Sequence, residues 1–125
     1  MHRRPYRPEA TVQGLFRECA ARHPERVALR WLGGELSYGE LDRRSDALAF
    51  RLRVMGAGTD QPIALCLPRS PQAVVAALAI LKAGAAYLPI DPEYPPARLR
   101  RILEDAGASL AITDRSPDVV DAVES

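Results

Sequence analysis

The stretch Leu81-Lys82-Ala83-Gly84-Ala85-Ala86-Tyr87-Leu88-Pro89-Ile90-Asp91 ends an apolar helix, turns on a glycine and enters a short apolar strand. The helix before it opens at Ser70-Pro71. The serine is placed to cap, and the proline stands where a missing N–H costs nothing. From Ala73 to Leu81 every residue is apolar, so no polar face is marked out. Such a helix is expected to be buried all round. A chain of 125 residues has little room for that, which implies that more polypeptide packs on it.

The segments on either side give the architecture. Pro62 to Leu67 is an apolar run without alternation, as expected of a strand covered on both faces of a parallel sheet. Ala86 to Ile90 reads as a second core strand. Asp91 to Pro96 contains three prolines and reads as a loop. A helix follows with Leu99, Ile102, Leu103 and Ala106 on one face and Gly107 as its stop. Ser109 to Thr113 is a third strand. Strand, helix, strand, helix, strand with short connections implies an α/β fold with a parallel sheet and right-handed crossovers. Beyond Asp114 the pattern dissolves, although Val119, Val120 and Val123 hint at one more helical turn.

Upstream, Thr11 caps a helix with Val12, Leu15, Phe16, Cys19 and Ala20 at apolar positions, and Pro24 stops it. His23 lies in its last turn, where a partial positive charge suits the dipole; no neighbour is placed to make it catalytic. Val27 to Trp31 reads as a strand that turns at Gly33-Gly34 into a hairpin. Ser37 and Glu40 have the spacing of a capping box, and Leu36 with Leu41 that of a hydrophobic staple. Leu41, Ser45, Leu48, Leu52 and Met55 mark the inner face of the helix that follows, which Gly56 or Gly58 closes. Gly56-Ala57-Gly58 neither follows a strand nor opens a helix, so it is no phosphate loop. Residues 1–10 read as a flexible arm, 11–114 as the folded part and 115–125 as a tail.

Composition excludes several classes of function. Seventeen basic and sixteen acidic residues leave a formal charge of +1, which gives no reason to expect nucleic acid or an acidic membrane as partner. Arg43-Arg44 and Arg98-Arg100-Arg101 fall on polar helix faces. Cys19 and Cys66 have no cysteine or histidine at metal-ligand spacing and read as buried thiols of a reducing compartment. The apolar run at Ala73–Leu81 is far shorter than the ~20 residues of a membrane span. A cytoplasmic location is expected.

Two segments carry a resemblance. Leu36-Ser37-Tyr38-Gly39-Glu40-Leu41 resembles the first core motif of adenylation domains of nonribosomal peptide synthetases. Leu81 through Asp91, with Lys82, Ala83, Gly84, Tyr87 and Pro89, resembles their second core motif almost letter for letter. The Leu15-Phe16 helix, Arg69-Ser70-Pro71 and Tyr94-Pro95 agree with it, so the resemblance spans about Thr11 to Thr113. It implies an N-terminal portion of the adenylate-forming (ANL, AMP-binding) fold: a β-hairpin plus a parallel β-α-β-α-β segment. It also implies a parent reaction, in which an amino-acid carboxylate attacks the α-phosphate of MgATP and the acyl group passes to a phosphopantetheine thiol on a carrier protein.

The family's phosphate loop, its nucleotide-binding aspartate motif, its catalytic lysine and its specificity pocket have no counterpart here; in the family they lie downstream. The resemblance therefore gives no catalytic, cofactor-binding or metal residue, and this chain is expected to bind no cofactor alone. Lys82 reads as a cation at a helix C-terminus, Asp91 as a turn residue that could also line a ligand crevice, and Tyr38 and Tyr87 as packing residues. Met1 stands a few residues before the first helix, so no condensation domain is expected before it.

Three readings stay open. The chain is part of an amino-acid-activating ligase and inactive alone. Or it is a non-catalytic module that pairs with the remainder of the domain, or with an MbtH-like accessory protein. Or it belongs to an acyl-CoA synthetase-like ligase.

Overall fold

The computed structural model describes residues 12–58, 62–113 and 120–122. The Thr11 cap, the arm at 1–10 and most of the tail lie outside the described residues. The chain divides into two compact units, residues 1–42 and 43–125.

The first unit holds α1 (Val12–Arg22), β1 (Val27–Trp31), β2 (Gly34–Ser37) and the start of α2 (Tyr38–Val54). β1 and β2 are antiparallel, with Trp31 opposite Gly34, so the two turn residues are Leu32 and Gly33 rather than Gly33-Gly34. The Trp31 indole explains the shift. A Cβ added at Gly33 would stand 3.2 Å from its Nε1, and one at Gly34 would stand 3.3 Å from its ring. The glycines make room for the ring, and Leu32 points into water at the tip. On α1, Ala20 is buried and Phe16 and Cys19 are half-buried, while the expected inner residues Val12 and Leu15 are exposed. One short helix in so small a unit covers only part of its own stripe.

The start of α2 is closely specified. The Tyr38 N–H donates to the Arg26 carbonyl at 2.9 Å, Gly39 N–H to the Pro24 carbonyl at 2.9 Å, and Glu40 N–H to Ser37 Oγ at 3.2 Å. Three of the donors that a helix start leaves without an intrahelical partner are satisfied this way. The structure shows the serine half of the capping box. Leu36 and Leu41, the staple pair, are both buried.

The second unit is a three-layer α/β body. Its sheet runs β4 (Ala86–Pro89), β3 (Pro62–Cys66), β5 (Leu110–Thr113), β6 (Val120–Ala122). β3 is parallel to both β4 and β5, with Ala64 opposite Leu88 and Ala111. β6 is antiparallel to β5, so Val120–Ala122 is a strand and not the expected helical turn. The outer edge of β5 offers backbone groups that a short segment with β-branched residues can pair.

Alternation along β3 builds two cores. Ile63 and Leu65 face one side with Leu52 of α2 and Ala76, Ala79 and Ile80 of α3 (Pro71–Lys82). Ala64 and Cys66 face the other with Leu103 of α4 (Pro96–Ala106), Ile90 and Ala108. Small residues at Ala76 and Ala79, one turn apart, let α3 lie close to the sheet. The buried residues of α3 are Ala76, Leu78, Ala79, Ile80 and Lys82; Ala73, Val74, Val75, Ala77 and Leu81 are half-buried, so the helix is not buried all round. On α4, Leu99 and Ile102 are half-buried and Ala106 is exposed.

Helices α2, α3 and α4 end alike. Gly56, Gly84 and Gly107 have φ of +104°, +86° and +72°. In each case the next residue's N–H returns to a carbonyl in the last turn: Ala57 to Leu52, Ala85 to Ile80, Ala108 to Leu103. This is the Schellman arrangement, and it fixes Gly56 rather than Gly58 as the stop of α2. At Gly84 an added Cβ would meet nothing within 4 Å, so backbone conformation alone demands glycine. We expect Gly84→Ala to cost about 1–2 kcal/mol in urea unfolding, the penalty of a left-handed residue with a side chain. Ala83→Gly, one residue earlier in a right-handed conformation, is expected to cost less than about 1 kcal/mol, the loss of helix propensity.

Candidate functional site: the Leu81–Asp91 stretch

Lys82 lies at the end of α3, and its side chain is fully buried. Its Nζ donates to Asp46 Oδ1 of α2 at 2.8 Å, while the Asp46 side chain stays 51% exposed. Sequence spacing did not show this pair, whose members are 36 residues apart. Lys82 is the basic residue in the last turn of α3, and a second cation meets the same helix end: Arg53 Nη2 donates to the Lys82 carbonyl at 2.7 Å. Two side chains of α2 thus grip the end of α3, one through charge and one through its exposed carbonyl.

Beyond the lysine, Ala83 and Gly84 complete the helix stop, and Ala85 returns to the core. Tyr87 stands on β4 with 43% of its surface exposed, and Pro89 ends the strand. Asp91 is exposed; its Oδ1 accepts the Glu93 N–H at 2.9 Å and its carbonyl accepts the Tyr94 N–H at 3.2 Å. That is an aspartate holding its own turn. Arg98 then lies over the Tyr94 ring, 4.3 Å from the centroid. In the first unit Tyr38 packs on Phe16, with ring centroids 5.7 Å apart.

The expected site residues therefore fall into two places in the chain. Leu36, Ser37, Tyr38, Glu40 and Leu41 start α2, and Leu81 to Asp91 join α3 to β4. Among the described residues no three His, Cys, Asp or Glu side chains come together as a metal set. A shallow depression along α4, lined by Pro96, Ala97, Arg100, Arg101 and Glu104, is made of exposed side chains of both charge signs on one helix.

The ion pair makes an asymmetric prediction. Asp46→Ala leaves a buried ammonium without that carboxylate, whereas Lys82→Met fills the same space with an apolar chain and leaves Asp46 in water. Chemical denaturation is expected to show a loss of about 2 kcal/mol for Asp46→Ala and under about 1 kcal/mol for Lys82→Met. A larger loss for the methionine variant would contradict the geometry.

The sequence matches the AMP-binding enzyme family over residues 16–125. It is 46% identical over 110 residues to tyrocidine synthase 2 of Brevibacillus parabrevis, a match spanning 88% of this chain and 3% of that protein. Among solved structures, 97% of the chain superposes on 14% of the nonribosomal peptide synthetase FmoA3 in its alpha-methyl-L-serine-AMP bound form (TM-score 0.85, 32% identity). The N-terminal subdomain of Klebsiella oxytoca NpsA, in complex with 3-hydroxyanthranilyl-AMSN, matches 82% of this chain with 26% of its own (TM-score 0.74, 32% identity). An artificially fused adenylation–PCP di-domain from Klebsiella oxytoca, NpsA-ThdA, matches 90% of this chain with 21% of its own (TM-score 0.76, 30% identity). The chain belongs to the AMP-binding enzyme family and corresponds to the N-terminal part of a nonribosomal peptide synthetase adenylation domain.

Proposed function

We propose that this chain supplies the first α/β layer of an amino-acid-adenylating domain and does not itself carry out the reaction. One observation carries this reading: 82% of the chain superposes on only 26% of the NpsA N-terminal subdomain. In the complete domain an amino-acid carboxylate oxygen bonds to the α-phosphorus of ATP and pyrophosphate leaves; ATP and magnesium belong to that domain as a whole. The aminoacyl group then passes to the phosphopantetheine thiol of a carrier protein. The adenylation–PCP fusion among the matched structures supports the carrier as partner. An MbtH-like accessory protein is a second candidate partner, and the amino acid is set by residues outside this chain. The identity to tyrocidine synthase 2 favours the peptide-synthetase branch over an acyl-CoA synthetase. No helix of the described residues is long and apolar enough to cross a membrane. A cytoplasmic location belongs to the proposal.

In this reading the family-motif residues are structural. Ser37 and Tyr38 satisfy the start of α2, Lys82 braces α3 against it, Gly84 permits the turn into β4 and Asp91 holds the next turn. The test is ATP–pyrophosphate exchange with a panel of amino acids. The isolated chain is expected to show no exchange above a protein-free control. Turnover by the chain alone, abolished by Lys82→Met or Asp91→Asn, would overturn the reading and make the motif catalytic.

A further inference from the structure

Of the seventeen Lys and Arg residues in the chain, only Lys82 is a lysine; the others are arginines. The two side chains carry the same charge but differ in chemistry. A guanidinium stays protonated in water and offers no lone pair, whereas a lysine amine that sheds its proton is a nucleophile. The exposed basic positions, among them Arg43, Arg44, Arg98, Arg100 and Arg101, therefore give charge without an amine.

The one amine-bearing side chain is shut in. Lys82 keeps 8% of its residue surface, and none of it belongs to the side chain. Nζ donates to Asp46 Oδ1 at 2.8 Å as an ammonium, a form without a lone pair. One turn from the pair, Ala49 on α2 and Leu78 and Ala79 on α3 are buried. Arg53 Nη2, 2.7 Å from the Lys82 carbonyl, holds the same two helices together. A reagent in water reaches Nζ only where α2 and α3 part.

This matters in a domain that makes an aminoacyl adenylate, which is a mixed anhydride. A neutral amine attacks its acyl carbon. The N–C amide bond forms, the bond from that carbon to the phosphate oxygen breaks, AMP leaves and the amine's proton passes to water. We propose that this stretch is protected against acylation by its own domain's adenylate, with Lys82 a sealed modification site that opens only when α2 leaves α3; the proposal rests on the reading under Proposed function. The modification is one-way. An acylated Nζ has lost the charge that Asp46 holds and brings an amide and extra carbon into a filled space, so the helices do not close over it again.

The test treats the full chain with acetyl adenylate, with Nα-acetyl-lysine amide in the same tube as reference amine, and follows Lys82 by peptide mass spectrometry. In the folded chain Lys82 is expected to acetylate at least about a hundredfold more slowly than the reference, and in concentrated guanidinium chloride within about threefold of it. Asp46→Ala is expected to raise the rate in buffer about thirtyfold. If that variant does not fold, graded denaturant on the unaltered chain gives the same reading: Lys82 labelling rises in step with the loss of Ala64 amide protection. A chain acetylated in denaturant and returned to buffer is expected to leave the Ala64 amide unprotected, whereas Lys82→Met taken through the same treatment regains that protection. Labelling of Lys82 within about tenfold of the reference, in a chain whose Ala64 amide stays protected, overturns the seal. Recovery of Ala64 protection by the acetylated chain overturns the one-way step. The adenylate is supplied as a reagent, so these outcomes judge Lys82 alone, and the adenylating reading stands or falls by pyrophosphate exchange.

Discussion

β3 is covered on both faces, and the second unit depends on that constraint. Ile63 and Leu65 are held by α2 and α3, Ala64 and Cys66 by the α4 side, and all four are buried. Each large side chain placed there contributes about 2–3 kcal/mol of burial. A strand used on both faces cannot alternate polar and apolar residues, which is why Pro62 to Leu67 reads as an unbroken apolar run. The parallel pairing then requires helical crossovers, and each helix must end sharply enough for the chain to re-enter the sheet. Gly84 and Gly107 provide those ends, and Gly56 does the same before β3.

The second family motif is best understood from this requirement. Its glycine turns the chain, Ala85 returns it to the core, and its lysine ties α3 to α2. A buried ammonium is costly unless paired, so Asp46 specifies where Lys82 lies. The half-exposed position of Asp46 keeps that pairing from demanding that two charges leave water completely. Arg53 on the Lys82 carbonyl adds a directional contact at the same helix end. Packing, charge and turn chemistry agree on one arrangement of α2, α3 and β4.

Much of the fold was legible because its signals are local. The capping serines, the proline at the start of α3, the αL glycines and the two-sided strand all act within a few residues. What sequence reasoning missed is long-range or depends on ring placement. The Lys82–Asp46 pair joins residues on different helices, and no spacing rule reports it. The hairpin turn moves to Leu32-Gly33 because an indole takes the space over both glycines. β6 forms because β5 has an edge to pair, which a short valine-rich segment does not announce by itself. Burial of α3 was overestimated because apolar composition shows what a helix tolerates and not how much sheet lies beneath it. The motif residues were legible as a family signature because they lie in two short continuous runs, Leu36–Leu41 and Leu81–Asp91.

The central claim is that this stretch of chain folds around β3 as a structural module. Amide hydrogen exchange of the 125-residue chain tests it most directly. The account predicts that the amides of Ala64, Leu65 and Ile112 exchange slowest and only with global unfolding, while those of the β1–β2 hairpin exchange faster by local opening. Rapid exchange across β3 and β5, or a hairpin more protected than β3, would contradict it.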